Sequence, residues 1–294
     1  VARRGWRIHL VMGHLPESRS IGERPVSLAH RRIHAPGTIP SRWVLFLHGF
    51  LGAGRNWASI GRGVVEARPD WGVVLVDLRL HGDSQGLAPP HTVAASAADV
   101  NALILRLQAT ETVIVGHSFG GKVALAAARA GDPTLKQVWV MDSTPSAGRT
   151  EAGADRLLAL LGRLPERFDD RGEVVRAVQG AGFNLHIAEW TATNLARGPD
   201  GYRWKFDLAA LDLLLEDFYR EDLWSVVDPS VPGREVIFVR ATRASIMDET
   251  AAARIARMEA DGECVRLLSI DGGHWINMEN PDAVLELLIR HLPR

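Results

Sequence analysis

Residues 112–121 read T-V-I-V-G-H-S-F-G-G, and this stretch carries the strongest structural signal in the chain. Four residues that favour strands, Thr112 to Val115, lead into Gly116-His-Ser-Phe-Gly120, and residues 122–129 have strong helix propensity. A strand that turns sharply into a helix at a serine, with glycines two residues before and after it, is typical of a nucleophile elbow. Glycine at both positions removes the Cβ atoms that would clash across the turn. We therefore predict that Ser118 is a nucleophile. The alternative is an ordinary glycine-rich turn.

A second element lies upstream of this elbow. The apolar run Trp43-Val-Leu-Phe-Leu47 is typical of a strand buried in a parallel sheet, and it ends in His48-Gly-Phe-Leu-Gly52. In hydrolases with such an elbow, the loop after this strand and the residue after the nucleophile each supply one backbone N–H to an oxyanion hole. By position these donors are Phe50 and Phe119. The role uses main-chain groups, so it depends little on side-chain identity.

A third element lies near the end of the chain. The run Cys264-Val-Arg-Leu-Leu-Ser-Ile270 predicts a last buried strand, and Asp271-Gly-Gly-His-Trp275 follows it. A histidine on a glycine-rich loop late in the chain is where a general base is expected, so we predict His274 for this role. Most other histidines are interpreted as surface or structural residues. Three histidines lie on the motif loops: His48, His81 and His117. They are expected to shape these loops and not to transfer protons.

The acidic partner of the histidine has two candidates. The loop after the predicted strand Glu235-Val-Ile-Phe-Val239 is the usual place, but it holds Ala244 and Ser245 at the expected position, and Asp248 comes late. One strand earlier, Gln137-Val-Trp-Val-Met141 ends in Asp142. Catalytic groups of open α/β sheets gather at the carboxyl ends of strands, which favours Asp142. The alternative is an aspartate that begins a turn before Ser-Thr-Pro.

These motifs together resemble those of the α/β-hydrolases, and more narrowly those of the ABHD11/YbfF-type serine esterases with their plant and algal relatives. The matching pieces keep the family's order along the chain. They are residues 48–57, 76–84, 116–122, 139–145, 238–241 and 273–275, with Asn280-Pro281. In that group the acid follows the earlier strand, which implies Asp142 here. The chain departs from the group's pattern at Leu80, where glycine or asparagine is common, and at Phe119, where methionine is frequent.

The resemblance implies a serine hydrolase that cleaves carboxylic esters, with thioesters possible, through Ser118, His274 and Asp142. No cofactor and no metal are expected, and the partner is a small-molecule ester. Hydrolysis of a carbon–carbon bond or a lactone would use the same triad. A ligand receptor on the same fold is the alternative outside enzymes. Haloalkane dehalogenase and epoxide hydrolase activities are disfavoured because they need an aspartate where Ser118 stands.

Composition is consistent with one catalytic unit. The 294 residues suffice for one large α/β domain plus an insertion, and the net charge of −1 gives no reason to expect nucleic acid as a partner. No apolar run is long enough to cross a bilayer. The single cysteine, Cys264, is expected to be a core residue. A lone cysteine cannot form an intrachain disulfide, which fits a reducing compartment. The expected location is the cytoplasm, or an organelle after removal of a transit peptide. The oligomeric state is not predicted.

Alternating strands and helices predict an α/β fold with a mostly parallel central sheet. We expect a core of residues 1–145 and 233–294, with a first strand or hairpin between Pro25 and Ile39. Residues 146–232 change pattern, because apolar residues recur at helical spacing without a convincing strand. This segment is predicted to be a helical cap, with a flexible loop at 197–201. Its aromatic residues are candidates for the cap core or for the substrate pocket: Phe183, Trp190, Trp204, Phe206, Phe218 and Trp224.

Overall fold

The computed structural model describes residues 27–149, 153–227, 233–262 and 264–294. Within them, one sheet contains seven strands: β1 (His30–Ile33), β2 (Arg42–Leu47), β3 (Trp71–Val76), β4 (Glu111–His117), β5 (Leu135–Met141), β9 (Glu235–Ala241) and β10 (Val265–Ile270). Their order in the sheet is β1-β3-β2-β4-β5-β9-β10. Strand β1 is antiparallel to β3, and the other neighbours are parallel. The sheet therefore has the predicted α/β architecture.

Helices cover both faces of this sheet. Alternate residues of a strand point to opposite faces, so Leu45 of β2 packs in one core layer and Phe46 in the other. The helices of the core are α1 (Ala58–Ala67), α2 (Val93–Leu107), α3 (Phe119–Ala128), α9 (Glu249–Ala260), α10 (Ile276–Glu279) and α11 (Pro281–His291), with a short 3-10 helix at Gly54–Trp57. The layer that contains Leu45 includes α2, α3 and α9, and the layer that contains Phe46 includes α1 and α11.

The inserted segment, residues 146–232, contains strands as well as helices in its described part. Its helices are α4 (Ala154–Leu161), α5 (Arg171–Gly180), α6 (Leu185–Ala192), α7 (Leu208–Arg220) and α8 (Trp224–Val227). Strands β6 (Arg167–Phe168), β7 (Leu195–Gly198) and β8 (Gly201–Trp204) form a separate antiparallel sheet. The expectation of helices alone was wrong. Residues 197–201, predicted as a flexible loop, instead form the hairpin that joins β7 and β8, and strands of two to four residues are too short to show an alternating pattern.

The expectation that Cys264 lies in the core was wrong. Cys264 is exposed and lies just before β10. Strand β10 is at the edge of the sheet, where an apolar sequence does not require burial of every residue. The strand predicted between Pro25 and Ile39 is β1, and Pro25 itself lies outside the described residues.

Candidate active site

Ser118 lies at the junction of β4 and α3, in strained backbone. Its φ of 52° and ψ of −117° are unfavourable for a residue with a side chain. A Cβ on Gly116 would lie 2.0 Å from the Gly120 carbonyl oxygen, and a Cβ on Gly120 would lie 2.6 Å from the His48 carbonyl oxygen. Both contacts are far below van der Waals distance, so the turn requires glycine at the two positions named in the sequence pattern. The Ser118 N–H donates to the Met141 carbonyl oxygen at 2.9 Å, which fixes the turn to β5.

His274 follows β10 and its imidazole meets Ser118. The distance from His274 Nε2 to Ser118 Oγ is 3.0 Å. The His274 side chain is 12% exposed, and it lines the same cleft as Ser118. Its loop is braced from the next helix, since the Gly273 N–H donates to Glu279 Oε2 at 2.8 Å and Asn280 Nδ2 donates to the Asp271 carbonyl oxygen at 2.9 Å.

Asp142 ends β5 and binds the other side of the same imidazole. Its Oδ2 lies 2.7 Å from His274 Nδ1, and its Oδ1 accepts the N–H of Ala241 at 3.1 Å. The side chain is fully buried, and the residue has a φ of 44°. A carboxylate can only accept hydrogen bonds, so Nδ1 carries the proton and Nε2 is left to accept from the Ser118 hydroxyl. The structure thus joins three predicted residues in one hydrogen-bonded chain.

Asp248, the second candidate acid, lies elsewhere. It is exposed at the start of α9, where its Oδ1 accepts the Ala251 N–H at 2.7 Å as a helix N-cap. The Asp248 carboxylate therefore forms a local hydrogen bond within the first turn of α9. The structure therefore pairs His274 with Asp142 and not with Asp248.

The loop after β2 brings Gly49 and Phe50 to the cleft that Ser118 also lines. Gly49 packs closely there, since a Cβ on it would lie 3.3 Å from Ser118 Cβ. His48 Nε2 accepts the Leu78 N–H at 3.0 Å, so its Nδ1 carries the proton and donates to the Gly49 carbonyl oxygen at 2.8 Å. Burial lowers the pKa of His48 to about 4, which keeps this bracing imidazole neutral. Within the described chain, the N–H groups of Phe50 and Phe119 have no hydrogen-bond acceptor.

Two other histidines lie close to the site and are buried. His117 Nε2 donates to the His274 carbonyl oxygen at 2.6 Å, and so connects the serine turn to the histidine loop. His81 donates from Nδ1 to the Arg79 carbonyl oxygen at 2.8 Å and stacks on Phe119. Burial is the main cause that lowers the pKa of each to about 3. Both are neutral structural residues, in the positions where the sequence predicted loop-shaping histidines.

Apolar side chains form the walls of the cleft above Ser118. Of the aromatic residues named from the sequence, Phe183 and Trp190 line it, while Trp204, for example, packs on Phe168 and Phe206 inside the inserted segment. Sequence reasoning missed further lining residues: Gly153, Ala154, Leu157, Ile187, Trp275, Asn277 and Met278. Helix α6, which carries Ile187 and Trp190, was also missed. Its one sequence signal is Asn184, whose side chain caps the helix by accepting the Ile187 N–H at 2.9 Å.

The described residues hold no cluster of three or more histidine, cysteine, aspartate or glutamate side chains arranged for a metal ion. Among the same residues, no helix combines the length and the apolar character needed to span a bilayer.

Comparison with known proteins gives consistent matches along the chain. A model of the "Alpha/beta hydrolase family" matches residues 44–287. The chain is 26% identical over 254 residues to the sn-1-specific diacylglycerol lipase ABHD11 of Xenopus tropicalis, covering 83% of this chain and 75% of that protein. It is 29% identical over 258 residues to Lipase LipV of Mycobacterium tuberculosis, covering 85% and 92%. The structure of a marine microorganism esterase superposes with a TM-score of 0.76 at 22% identity, covering 91% of this chain and all of that one.

Proposed function

We propose that this chain, which belongs to the alpha/beta hydrolase family, is a serine esterase that cleaves carboxylic esters through an acyl-enzyme intermediate. The family membership confirms the resemblance found in the sequence, including its ABHD11-type character. Relatives named as lipases support esters as the substrate class. Thioesters would follow the same chemistry, because they too form an acyl-serine.

One observation carries this proposal: Ser118 Oγ, the His274 imidazole and the Asp142 carboxylate form a continuous chain with distances of 3.0 and 2.7 Å. Serine alone is a weak nucleophile, and a hydrogen-bonded base activates it. Here the base is oriented by a buried carboxylate that also accepts a backbone N–H, so the imidazole is held in the tautomer that can receive the serine proton.

In the first half-reaction, Ser118 Oγ forms a bond to the ester carbonyl carbon while His274 Nε2 takes the hydroxyl proton. Asp142 stabilises the imidazolium that results. The tetrahedral intermediate collapses when the bond to the alcohol oxygen breaks and His274 returns the proton to that oxygen. In the second half-reaction, water attacks the acyl-serine with His274 again as base, and the acid and free Ser118 are released.

The negative charge of the tetrahedral intermediate needs donors, and the N–H groups of Phe50 and Phe119 are proposed to supply them. Phe119 is the first residue of α3, where N–H groups have no acceptor within the helix and the helix dipole favours an anion. Phe50 lines the cleft together with Ser118. Preorganised donors of this kind each contribute on the order of 10²–10³ in kcat.

The walls of the cleft favour an uncharged substrate. Among the described residues that line it, none is an aspartate, glutamate, lysine or arginine, and Leu157, Phe183, Ile187 and Trp190 come from the inserted segment. Binding a charged acyl group there would remove its hydration without supplying a partner. We propose that residues 146–232 act as a cap that forms the apolar wall of the acyl pocket.

A panel of p-nitrophenyl esters from acetate to decanoate, with the matching S-acyl thioesters, tests the proposal. Wild type should hydrolyse the neutral esters and should react covalently with a fluorophosphonate. Ser118→Ala should lose labelling and on the order of 10⁴–10⁶ in kcat, and His274→Ala should lose a similar factor. The exposed histidine variant His186→Ala serves as the control and should keep wild-type rates. Undiminished labelling of Ser118→Ala would refute the assignment of the nucleophile.

A further inference from the structure

A side chain of the inserted segment reaches the backbone of the loop that holds Phe50. Asn194 follows α6, is only 4% exposed, and its Nδ2 donates to the Leu51 carbonyl oxygen at 3.0 Å. A carbonyl oxygen can only accept, so this bond sets the orientation of the side-chain amide. Burying an amide is unfavourable unless it is hydrogen-bonded, so the contact satisfies a polar group that packing alone would not place there.

The turn that Asn194 contacts is strained. The Gly52 N–H donates to the Gly49 carbonyl oxygen at 2.9 Å, which closes a four-residue turn with Leu51 as its third residue. Leu51 has a φ of 61°, a conformation that turns normally assign to glycine at this position. A leucine there is strained, because in the left-handed region its Cβ lies too close to the following carbonyl oxygen. The turn therefore needs contacts from outside, and Asn194 supplies one at the strained residue itself.

The same turn sets the direction of the Phe50 N–H. The Gly49 carbonyl and the Phe50 N–H belong to one planar trans peptide group, so they point in opposite directions. The Gly49 oxygen is held on one side by the Gly52 N–H and by His48 Nδ1. A change of the turn at Leu51 would release the Gly52 contact and rotate this peptide, and the Phe50 N–H would rotate with it.

We propose that Asn194 is a positioning residue for ester hydrolysis, which acts through the Leu51 carbonyl to keep the Phe50 N–H aimed at the oxyanion. The inference rests on the proposed function. It also couples the two parts of the site, because α6 lines the cleft with Ile187 and Trp190 and ends two residues before Asn194. The cap would thereby contribute to stabilisation of the transition state as well as to the pocket wall.

The test compares Asn194→Leu and Asn194→Asp with wild type on p-nitrophenyl butyrate. Leucine removes the donor at similar volume, and aspartate removes it at nearly identical shape. We expect kcat to fall roughly ten- to hundredfold for both, with KM within about threefold of wild type, because a donor displaced by a fraction of an ångström acts mainly on the transition state. Active sites are counted by stoichiometric fluorophosphonate labelling, so that unfolded protein does not enter kcat.

A second readout isolates the oxyanion. A trifluoromethyl ketone forms an anionic hemiketal: Ser118 Oγ bonds to its carbonyl carbon, the electron pair of the C=O π bond moves onto the oxygen, and the Ser118 hydroxyl proton passes to His274 Nε2. Its affinity should weaken by the same factor as kcat/KM. The matched control is Thr193→Val, at the adjacent residue. It removes the 2.8 Å contact from Arg55 Nη2 to Thr193 Oγ1 and the 2.6 Å hydrogen bond that Thr193 Oγ1 donates to the Trp190 carbonyl oxygen, but it leaves the hydrogen bond to Leu51 in place, so it should stay within threefold of wild type.

Three results would overturn the inference. They are wild-type kcat per labelled site in both Asn194 variants, a rise of KM with unchanged kcat, and an equal loss in Thr193→Val. Failure of the proposed function looks different, since Ser118→Ala would then retain turnover whatever the Asn194 variants do.

Discussion

The α/β core and the inserted segment contribute to the same cleft in different ways. The core places the three residues of the proposed triad at strand ends, and two of them have strained backbone: Ser118 has a φ of 52° and Asp142 a φ of 44°. The inserted segment supplies apolar side chains such as Leu157 and Ile187 from regular helices with ordinary backbone. Strain stored at a site persists only where the surrounding structure enforces it, and the sheet provides that enforcement.

The two regions should therefore affect different kinetic constants when they are substituted. A group that acts in the transition state lowers kcat when it is lost, whereas a wall that binds substrate and transition state alike changes KM or kcat/KM for the substrates that touch it. We therefore expect core strand-end substitutions to act on kcat and substitutions of the cap wall to act on chain-length selectivity. Asn194 is the exception that we propose, because it belongs to the inserted segment and contacts the turn at Leu51.

The largest expected effect in this comparison is that of the strand-end carboxylate. Asp142→Asn should fold and lose roughly 10²–10⁴ in kcat, because an amide can favour the wrong imidazole tautomer and does not stabilise an imidazolium. Asp248→Asn, at the loop after β9, should stay within about threefold, since Asp248 caps α9. Steady-state kinetics of the two variants on one ester measures both. An equal loss of kcat in both variants would contradict the assignment of the catalytic acid to Asp142 alone.

A substitution in the inserted segment should change substrate selectivity and leave the chemical step intact. Trp190→Ala removes a half-buried aromatic wall, so kcat/KM for p-nitrophenyl octanoate should fall about tenfold while the acetate value stays within about twofold. The ratio of the two specificity constants is the measurement. Trp204→Phe, which changes a side chain packed on Phe168 and Phe206, is the control and should leave that ratio unchanged. A drop in kcat for acetate as large as for octanoate would contradict a purely binding role.

The smallest expected effect is a change in the pH dependence of the unfolding free energy. It concerns the core and not the inserted segment, because the buried histidines near the site all lie in the core. Burial lowers the pKa of His81 to about 3, so the folded protein keeps it neutral while the unfolded chain takes up a proton below about pH 6.5. This contribution to stability is complete above pH 6.5 and falls as the pH drops toward the folded value. Between pH 6 and pH 5, wild type should lose about 1 kcal/mol more of unfolding free energy than His81→Phe.

Urea denaturation at the two pH values measures this difference, and the remaining titrations of the protein largely cancel between the variants. His186→Ala, an exposed histidine of the inserted segment, is the control and should follow wild type. A variant difference of the opposite sign would mean that His81 is protonated in the folded state.

Much of the core was predictable from the sequence because its signals are local. The strand, glycines and helix around Ser118 lie within 20 residues of one another along the chain. Leu80, noted as a departure from the family's pattern, has a φ of 65°, which explains why glycine or asparagine is common there. The burial of Cys264 was predicted wrongly, because an apolar run does not reveal that its strand lies at the edge of the sheet.

The sequence predicted Ser118, His274 and Asp142 as a triad, with Asp248 as the alternative acid, because the backbone constraints of a tight turn involve only neighbouring residues and the family resemblance favoured the earlier strand. Only the tertiary structure brings the Asp142 carboxylate within hydrogen-bond distance of His274, which lies 132 residues further along the chain. It was equally needed to bring Asn194 to Leu51 across 143 residues and to select the walls of the cleft. These contacts between residues distant in sequence depend on the order of strands in the sheet and on the placement of the inserted helices. A local sequence pattern therefore does not predict them.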